Sequence, residues 1–101
     1  MVKTTKAKAK ASETYIRVEH TLSVLARCPV NESRDVYETT FRLDKLVKVE
    51  TLIEQCRGFQ DKKLFQEELT ELLAQAFGCE VETRGIHSGV KTVCVAGVWQ
   101  V

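Results

Sequence analysis

From Glu13 onward, apolar and polar positions alternate. Ile16, Val18, Leu22, Val24, Ala26 and Cys28 share one parity, together with His20. Arg17, Glu19, Thr21, Ser23 and Arg27 share the other. Period two over this length predicts a long strand with one buried face, because successive side chains point to opposite sides. Residues 29–34, PVNESR, read as a polar turn opened by the chain's only proline. Asp35, Tyr37, Thr39, Phe41 and Leu43 then share a parity against Glu38, Thr40 and Arg42, which predicts a second half-buried strand.

Beyond Asp44-Lys45 the period lengthens. Val49, Leu52, Ile53 and Cys56 have helical spacing, Thr51 and Glu54 fit a capping box, and Gly58 suits a stop. A second helix is expected after Asp61, which can cap it. Phe65, Leu69, Leu72, Leu73, Ala76 and Phe77 make its apolar stripe, and Gly78 ends it. Cys79 to Gly85 then reads as a strand, IHSG as a turn region, and Val90 to Val98 as a last strand. The order strand, strand, helix, helix, strand, strand predicts an α+β domain. Its four-stranded antiparallel sheet would carry the helices on one face. The open edges of such a sheet call for pairing, so self-assembly is expected.

The first two strands suggest a register. Setting Cys28 opposite Asp35 places Ala26 opposite Tyr37, Val24 opposite Thr39, Leu22 opposite Phe41 and His20 opposite Leu43. All of these lie on the apolar face, so the hydrophobic pattern is satisfied. A thiol and a carboxylate then share one side of the sheet's end. Carboxylates are seldom fully buried without a partner, so Asp35 is expected to line a partly open pocket. A thiolate attacks electrophilic carbon, and a neighbouring acid can supply a proton to the atom that becomes basic. The bland reading of the same spacing is an apolar strand-end cysteine and a turn-capping aspartate.

Composition narrows the setting. The chain's 101 residues, 44% hydrophobic and 29% charged, are enough for one domain with one core. No apolar run approaches the length of a membrane span, and the N-terminus lacks the apolar stretch of a secretory signal, so a soluble cytoplasmic protein is expected. Charge is unevenly placed. Residues 1–12, MVKTTKAKAKAS, carry four lysines and no acid, and read as a disordered basic tail before a single domain at 13–101. That tail could touch the phosphates of a polyanion or simply aid solubility. The four cysteines, Cys28, Cys56, Cys79 and Cys94, form no C-x-x-C pair, and with only His20 and His87 no zinc spacing appears. They are expected to be free thiols, and no metal is expected.

Family resemblance sharpens the chemistry. CPVNESRD resembles the Cys-Pro-x-x-x-x-x-Asp segment of the QueF-type family. DKKLFQEELTELLAQAF is similar to that family's Phe-His-Glu-Asp helix, and VETRGIHSGVKT resembles its strand and Arg-Gly-Gly-Ile turn. The resemblance covers roughly residues 18–96. It implies the tunnelling fold (T-fold), whose element order is the one given above and whose modules assemble into an oligomeric barrel. It also implies roles. Cys28 would attack the nitrile carbon of 7-cyano-7-deazaguanine (preQ0) to form a thioimide, and Asp35 would donate or shuttle the proton. Glu67 would grip the polar edge of the deazapurine, facing a neighbouring subunit's pocket. Gln66 stands where the family has histidine. Tyr37, on the Cys28 face, and His87, in its turn, complete the candidate substrate contacts, and Arg84 and Lys91 flank the same turn. His20 reads as a core or supporting histidine, and Trp99 as an interface or core aromatic.

One departure bears on the reaction. The family's nicotinamide motif has a glutamate followed by lysines two and five positions on, ending in an aromatic. Here the stretch begins at Glu50, ETLIEQC, with Leu52 and Gln55 at the lysine positions. No glycine-rich dinucleotide fingerprint occurs elsewhere. The chain therefore resembles the QueF-like amidinotransferases, which lack the NADPH motif, and no cofactor is expected. That subfamily adds ammonia to the nitrile carried on a nucleic acid, making the formamidine of archaeosine in tRNA. For this chain the nitrile could be the free base or part of tRNA or DNA. The expected assembly is a homo-oligomer with sites between subunits and no membrane partner. An NADPH-dependent preQ0 reductase and a non-catalytic purine-binding T-fold module are the alternatives. The metal-dependent T-fold families, pterin synthases and cyclohydrolases, rely on histidine clusters that two isolated histidines do not suggest.

Overall fold

Alternation produces the first hairpin. In the computed structural model, which describes residues 14–98, β1 (Val18–Arg27) and β2 (Arg34–Leu43) pair antiparallel along their full lengths. Val24, Ala26, Tyr37, Thr39, Phe41 and Leu43 are buried on the inner face, as the parity requires. The outer face carries polar cross-strand pairs such as the Thr21 and Thr40 hydroxyls, 2.8 Å apart. β1 starts at Val18, later than the alternation from Glu13 suggests. The basic tail and Trp99 lie outside the described residues.

The register differs from the expected one by two residues. Ala26 stands opposite Asp35, Val24 opposite Tyr37, Leu22 opposite Thr39 and His20 opposite Phe41. The turn decides this. Cys28 N donates to Ser33 O, and Glu32 N donates to Cys28 O, both at 2.8 Å. Asn31 Oδ1 accepts from Ser33 N, and Glu32 takes a positive φ of 61°. Four residues, Pro29 to Glu32, are thus needed to reverse the chain, so Cys28 sits just beyond β1, opposite Ser33 rather than Asp35. A slip of one would have exchanged the faces; a slip of two keeps Cys28 and Asp35 on the same one.

The helices also start elsewhere than expected. α1 (Val49–Cys56) is preceded by Lys48, so Thr51 and Glu54 lie inside it and form no capping box. Glu54 pairs with Arg57 instead, in a 3-10 turn over Arg57–Phe59 that contains Gly58. Asp61 caps nothing. It has a φ of 65° and pairs with Arg27 at 2.8 Å. The following residues, Lys62–Lys63, form a short strand, β3, parallel to β1. Gln60 Oε1 accepts from Leu25 N, and Leu64 N donates to Arg27 O. The segment 60–64 thereby covers the β1 edge. The sheet consequently has five strands, in the order β3-β1-β2-β4-β5, rather than four.

α2 (Gln66–Phe77) begins after Phe65, whose backbone N–H is taken by the Glu68 carboxylate at 3.0 Å. It ends at Gly78, in the left-handed region with φ 63°, where Gly78 N reaches Ala74 O. Its buried face is Gln66, Leu69, Thr70, Leu73 and Ala74, so two polar residues face inward while Phe65 and Leu72 stay exposed. β4 (Glu80–His87) and β5 (Val90–Ala96) form a second hairpin closed by Ser88-Gly89, both with positive φ. That two-residue turn matches the strand twist. It also moves Ile86 and His87 out of the expected turn and into β4. Leu52, Cys56, Leu69, Leu73, Phe41 and Val81 fill the core between helices and sheet, with the Phe41 and Phe77 ring centroids 4.7 Å apart. Among the described residues, no helix is long and apolar enough to cross a membrane.

Candidate active site

The β2–β4 ladder runs from Arg42↔Glu80 to Glu38↔Arg84 and stops there. Continued in the same register, it would set Tyr37 opposite Gly85 and Asp35 opposite His87. The ladder pairing ends before those positions, and a pocket of about 300 Å³ lies on the inner face. Cys28, Asp35, Tyr37, Gln66, Glu67 and His87, all six residues expected from the sequence, line it. The β1–β2 turn, β2, α2, β4 and β5 of one chain supply its wall. Pro29, Val30, Leu64 and Phe65 give it apolar surface.

The reactive groups converge at one spot. Cys28 Sγ, an Asp35 carboxylate oxygen and a His87 ring nitrogen all lie within 4.8 Å of one another. Cys28 is buried at 6% exposure, Asp35 is half-buried and His87 is exposed. His87 is there because β4 continues its inner parity through Val81, Thr83, Gly85 and His87. That alternation was the available signal, and placing His87 in a turn concealed it.

Tyr37 owes its position to a glycine. A Cβ on Gly85 would stand 2.5 Å from Tyr37 Cδ1 and 2.6 Å from Cε1, so only a bare backbone lets the ring lie across β4. The Tyr37 phenol is pushed up to about 12, first by burial and then by the charges of Asp35, Cys28, Glu67 and Cys94. It stays a neutral hydrogen-bond donor throughout the neutral range.

Gln66 is locked from behind. Its Nε2 is within hydrogen-bond distance of Thr83 O, Thr83 Oγ1 and Thr92 O, at 3.1–3.2 Å. Two of these are carbonyls, which only accept, so the amide orientation is set. Thr70 Oγ1 bonds Gln66 O at 2.7 Å and meets Thr83 Oγ1 at 2.6 Å. This buried network ties the start of α2 to β4 and β5. It explains why Gln66 and Thr70 displace Phe65 and Leu72 from the inner face. Glu67 is exposed beside it, on the rim of its own chain's pocket.

Among the described residues the pocket's charge is one-sided: Asp35 and Glu67 line it, and no lysine or arginine does. Among the described residues neither carboxylate makes an ion pair. Arg84 and Lys91 line a separate hollow of about 370 Å³ with Val36 and Ile86, whose parity places them on the outer face. His20 is half-buried and outside the pocket. Elsewhere the thiols are subdued: burial pushes Cys56 up to about 11 and raises Cys79 and Cys94 as well. A thiol, a carboxyl and an imidazole beside an apolar wall can add sulfur to an electrophilic carbon and move the proton that follows.

No protein-family model matches the chain, and no curated protein does. Among solved structures, the crystal structure of the archaeosine synthase QueF-Like in the apo form superposes with a TM-score of 0.72. Identity is 17%, and the match covers 79% of this chain and 90% of that one. The chain has the QueF-like T-fold. At 17% identity the likeness is one of fold.

Proposed function

We propose that this protein converts the nitrile of a 7-cyano-7-deazaguanine unit to a formamidine, without NADPH. The observation that carries the reading is the meeting of Cys28 and Asp35 in one pocket on a QueF-like fold. Cys28 Sγ adds to the nitrile carbon, one carbon–nitrogen π bond breaks, and the nitrogen takes a proton through Asp35. The product is a thioimide. Ammonia then adds to the same carbon, the carbon–sulfur bond breaks, and the thiolate leaves. Nitrile plus ammonia becomes amidine, with no change of oxidation state.

The pocket's charge supports ammonia over hydride as the second reactant. Asp35 and Glu67 attract ammonium, and among the described residues no lysine or arginine lines the pocket to meet dinucleotide phosphates. Leu52 and Gln55, at the positions of the family's lysines, agree with this. Glu67 and the Gln66 amide oxygen are acceptors suited to the N–H edge of a guanine-like base. Tyr37 adds a donor, and about 300 Å³ lies at the small end of ligand-site volumes. The same charge would disfavour nucleic-acid phosphates inside the pocket, and the basic tail is a candidate to meet them. Among the described residues β5 is an edge strand whose own Val93 and Val95 are exposed, which favours assembly of copies around the site.

Product analysis tests the reading. Wild-type protein is incubated with the nitrile, as free base and within tRNA or DNA, together with ammonium or NADPH. Amidine formed with ammonium alone is the expected result. An aminomethyl product that requires NADPH would transfer the assignment to the reductase. Tight binding of the nitrile without turnover would favour a purine-binding module.

A further inference from the structure

We propose that Cys28, Asp35 and His87 form a binding site for a zinc-class divalent cation, with three protein ligands and an open fourth position. The sequence hides it, because the three residues come from a turn, a strand start and a distant strand end, and no ligand spacing links them. The fold brings their sulfur, oxygen and nitrogen within 4.8 Å of one another. Zinc bonds of about 2.3 Å to sulfur and 2.0–2.2 Å to nitrogen and oxygen set neighbouring ligand atoms about 3.3–3.6 Å apart in a tetrahedron. Small side-chain rotations close that difference, and the exposed His87 is free to make them.

The donor set is selective. One thiolate with an imidazole and a carboxylate suits a borderline-soft ion such as zinc and excludes magnesium or calcium, which want oxygen alone. The surroundings favour positive charge: Glu67 stands on the same wall, no lysine or arginine among the described residues lines the pocket, and the pocket mouth gives entry. Three protein ligands with a vacant position is the pattern of an exchangeable or reactive zinc site rather than a closed structural one.

This inference goes beyond the amidine reading and constrains it. Cys28 Sγ cannot hold a cation and a nitrile carbon together. A bound zinc ion would therefore silence the thiol, and a chelator would restore it.

Cobalt(II), which reports its ligands by colour, is the probe. Metal-free full-length protein titrated with cobalt should take up one equivalent and develop a near-ultraviolet thiolate-to-cobalt band with a visible tetrahedral band. Zinc should bleach both. Cys28→Ser should abolish the thiolate band, and His87→Gln should weaken cobalt binding at least about tenfold, each with unchanged circular dichroism. Cys79→Ser, at the far end of the sheet, should bind as wild type does. A wild-type protein without the thiolate band overturns the proposal, as does a band that survives in folded Cys28→Ser. No nitrile enters these titrations, so failure of the amidine reading leaves their result standing, and the reverse holds too.

Discussion

The two ends of the β2–β4 pairing are built on opposite principles. At one end Arg42 stands opposite Glu80 and reaches Glu19 at 3.3 Å, Glu80 at 3.1 Å and Glu82 at 2.9 Å. One guanidinium thereby clamps β1, β2 and β4 together, and Glu82 also meets Arg84. The Arg42 pKa is raised and the Glu82 pKa lowered, each chiefly by their mutual hydrogen bond. At the other end the ladder stops at Glu38↔Arg84, and Asp35 and Glu67 make no ion pair among the described residues. The paired end carries neutralised carboxylates, and the end beyond the last ladder pair carries the pocket. One end carries a network of ion pairs, and the other carries the pocket in which the proposed chemistry would take place.

Substitutions at the two ends should therefore separate activity from stability. The largest effect is expected at Asp35. Asp35→Asn keeps the shape but removes the acid, and should lower amidine formation about 10²- to 10⁴-fold while the urea midpoint stays near wild type. Gly85→Ala should cost up to about 10²-fold in the same assay, because its methyl drives the Tyr37 ring from its seat. The companion Gly85→Ala/Tyr37→Leu variant should regain packing but not activity. At the clamp the effects reverse. Arg42→Met should destabilise the fold by about 2 kcal/mol, between the cost of breaking an exposed and a buried ion pair, with turnover of the folded fraction unchanged. Chemical denaturation reads it directly.

The smallest effect concerns pH. Tyr37 and Cys56 hold their protons in the fold up to about 12 and 11, above their ordinary values. The unfolded chain releases those protons first as pH rises from about 9, so stability is full below that pH and falls through the range up to 12. Urea midpoints at pH 8 and pH 10.5 measure the drop, and Tyr37→Phe should reduce it. The same shift leaves only about a thousandth of Cys56 as thiolate at pH 8, so iodoacetamide should label Cys28 ahead of Cys56.

What could be read from the sequence follows what local periodicity encodes. Alternation gave both faces of β1 and β2, and parity kept Cys28 with Asp35 even though the register was two residues off. The register itself depended on the hydrogen bonds of one turn, with Glu32 in a conformation its residue type does not advertise. Gly78 was readable as a helix stop because its role is local. The start of α2 was not, because Gln66 and Thr70 are drawn inward by Thr83 and Thr92, partners that no helical wheel contains. His87 shows the same limit at the site. Its type suggested ligand contact, but its approach to Cys28 depends on how two hairpins stand side by side. The helix–sheet order was legible in full except for β3, two lysines whose only strand character is their pairing with the β1 edge.

The proposed reaction turns on a covalent bond between Cys28 Sγ and a nitrile carbon. Intact-protein mass spectrometry of metal-free protein after incubation with 7-cyano-7-deazaguanine, free and within tRNA or DNA, tests it most directly. Wild type should gain a mass equal to the nitrile-bearing ligand, absent from Cys28→Ala, and lose it again when ammonium is added. A wild-type protein that gains no mass with any form of the nitrile, or a gain that persists in Cys28→Ala, would contradict it.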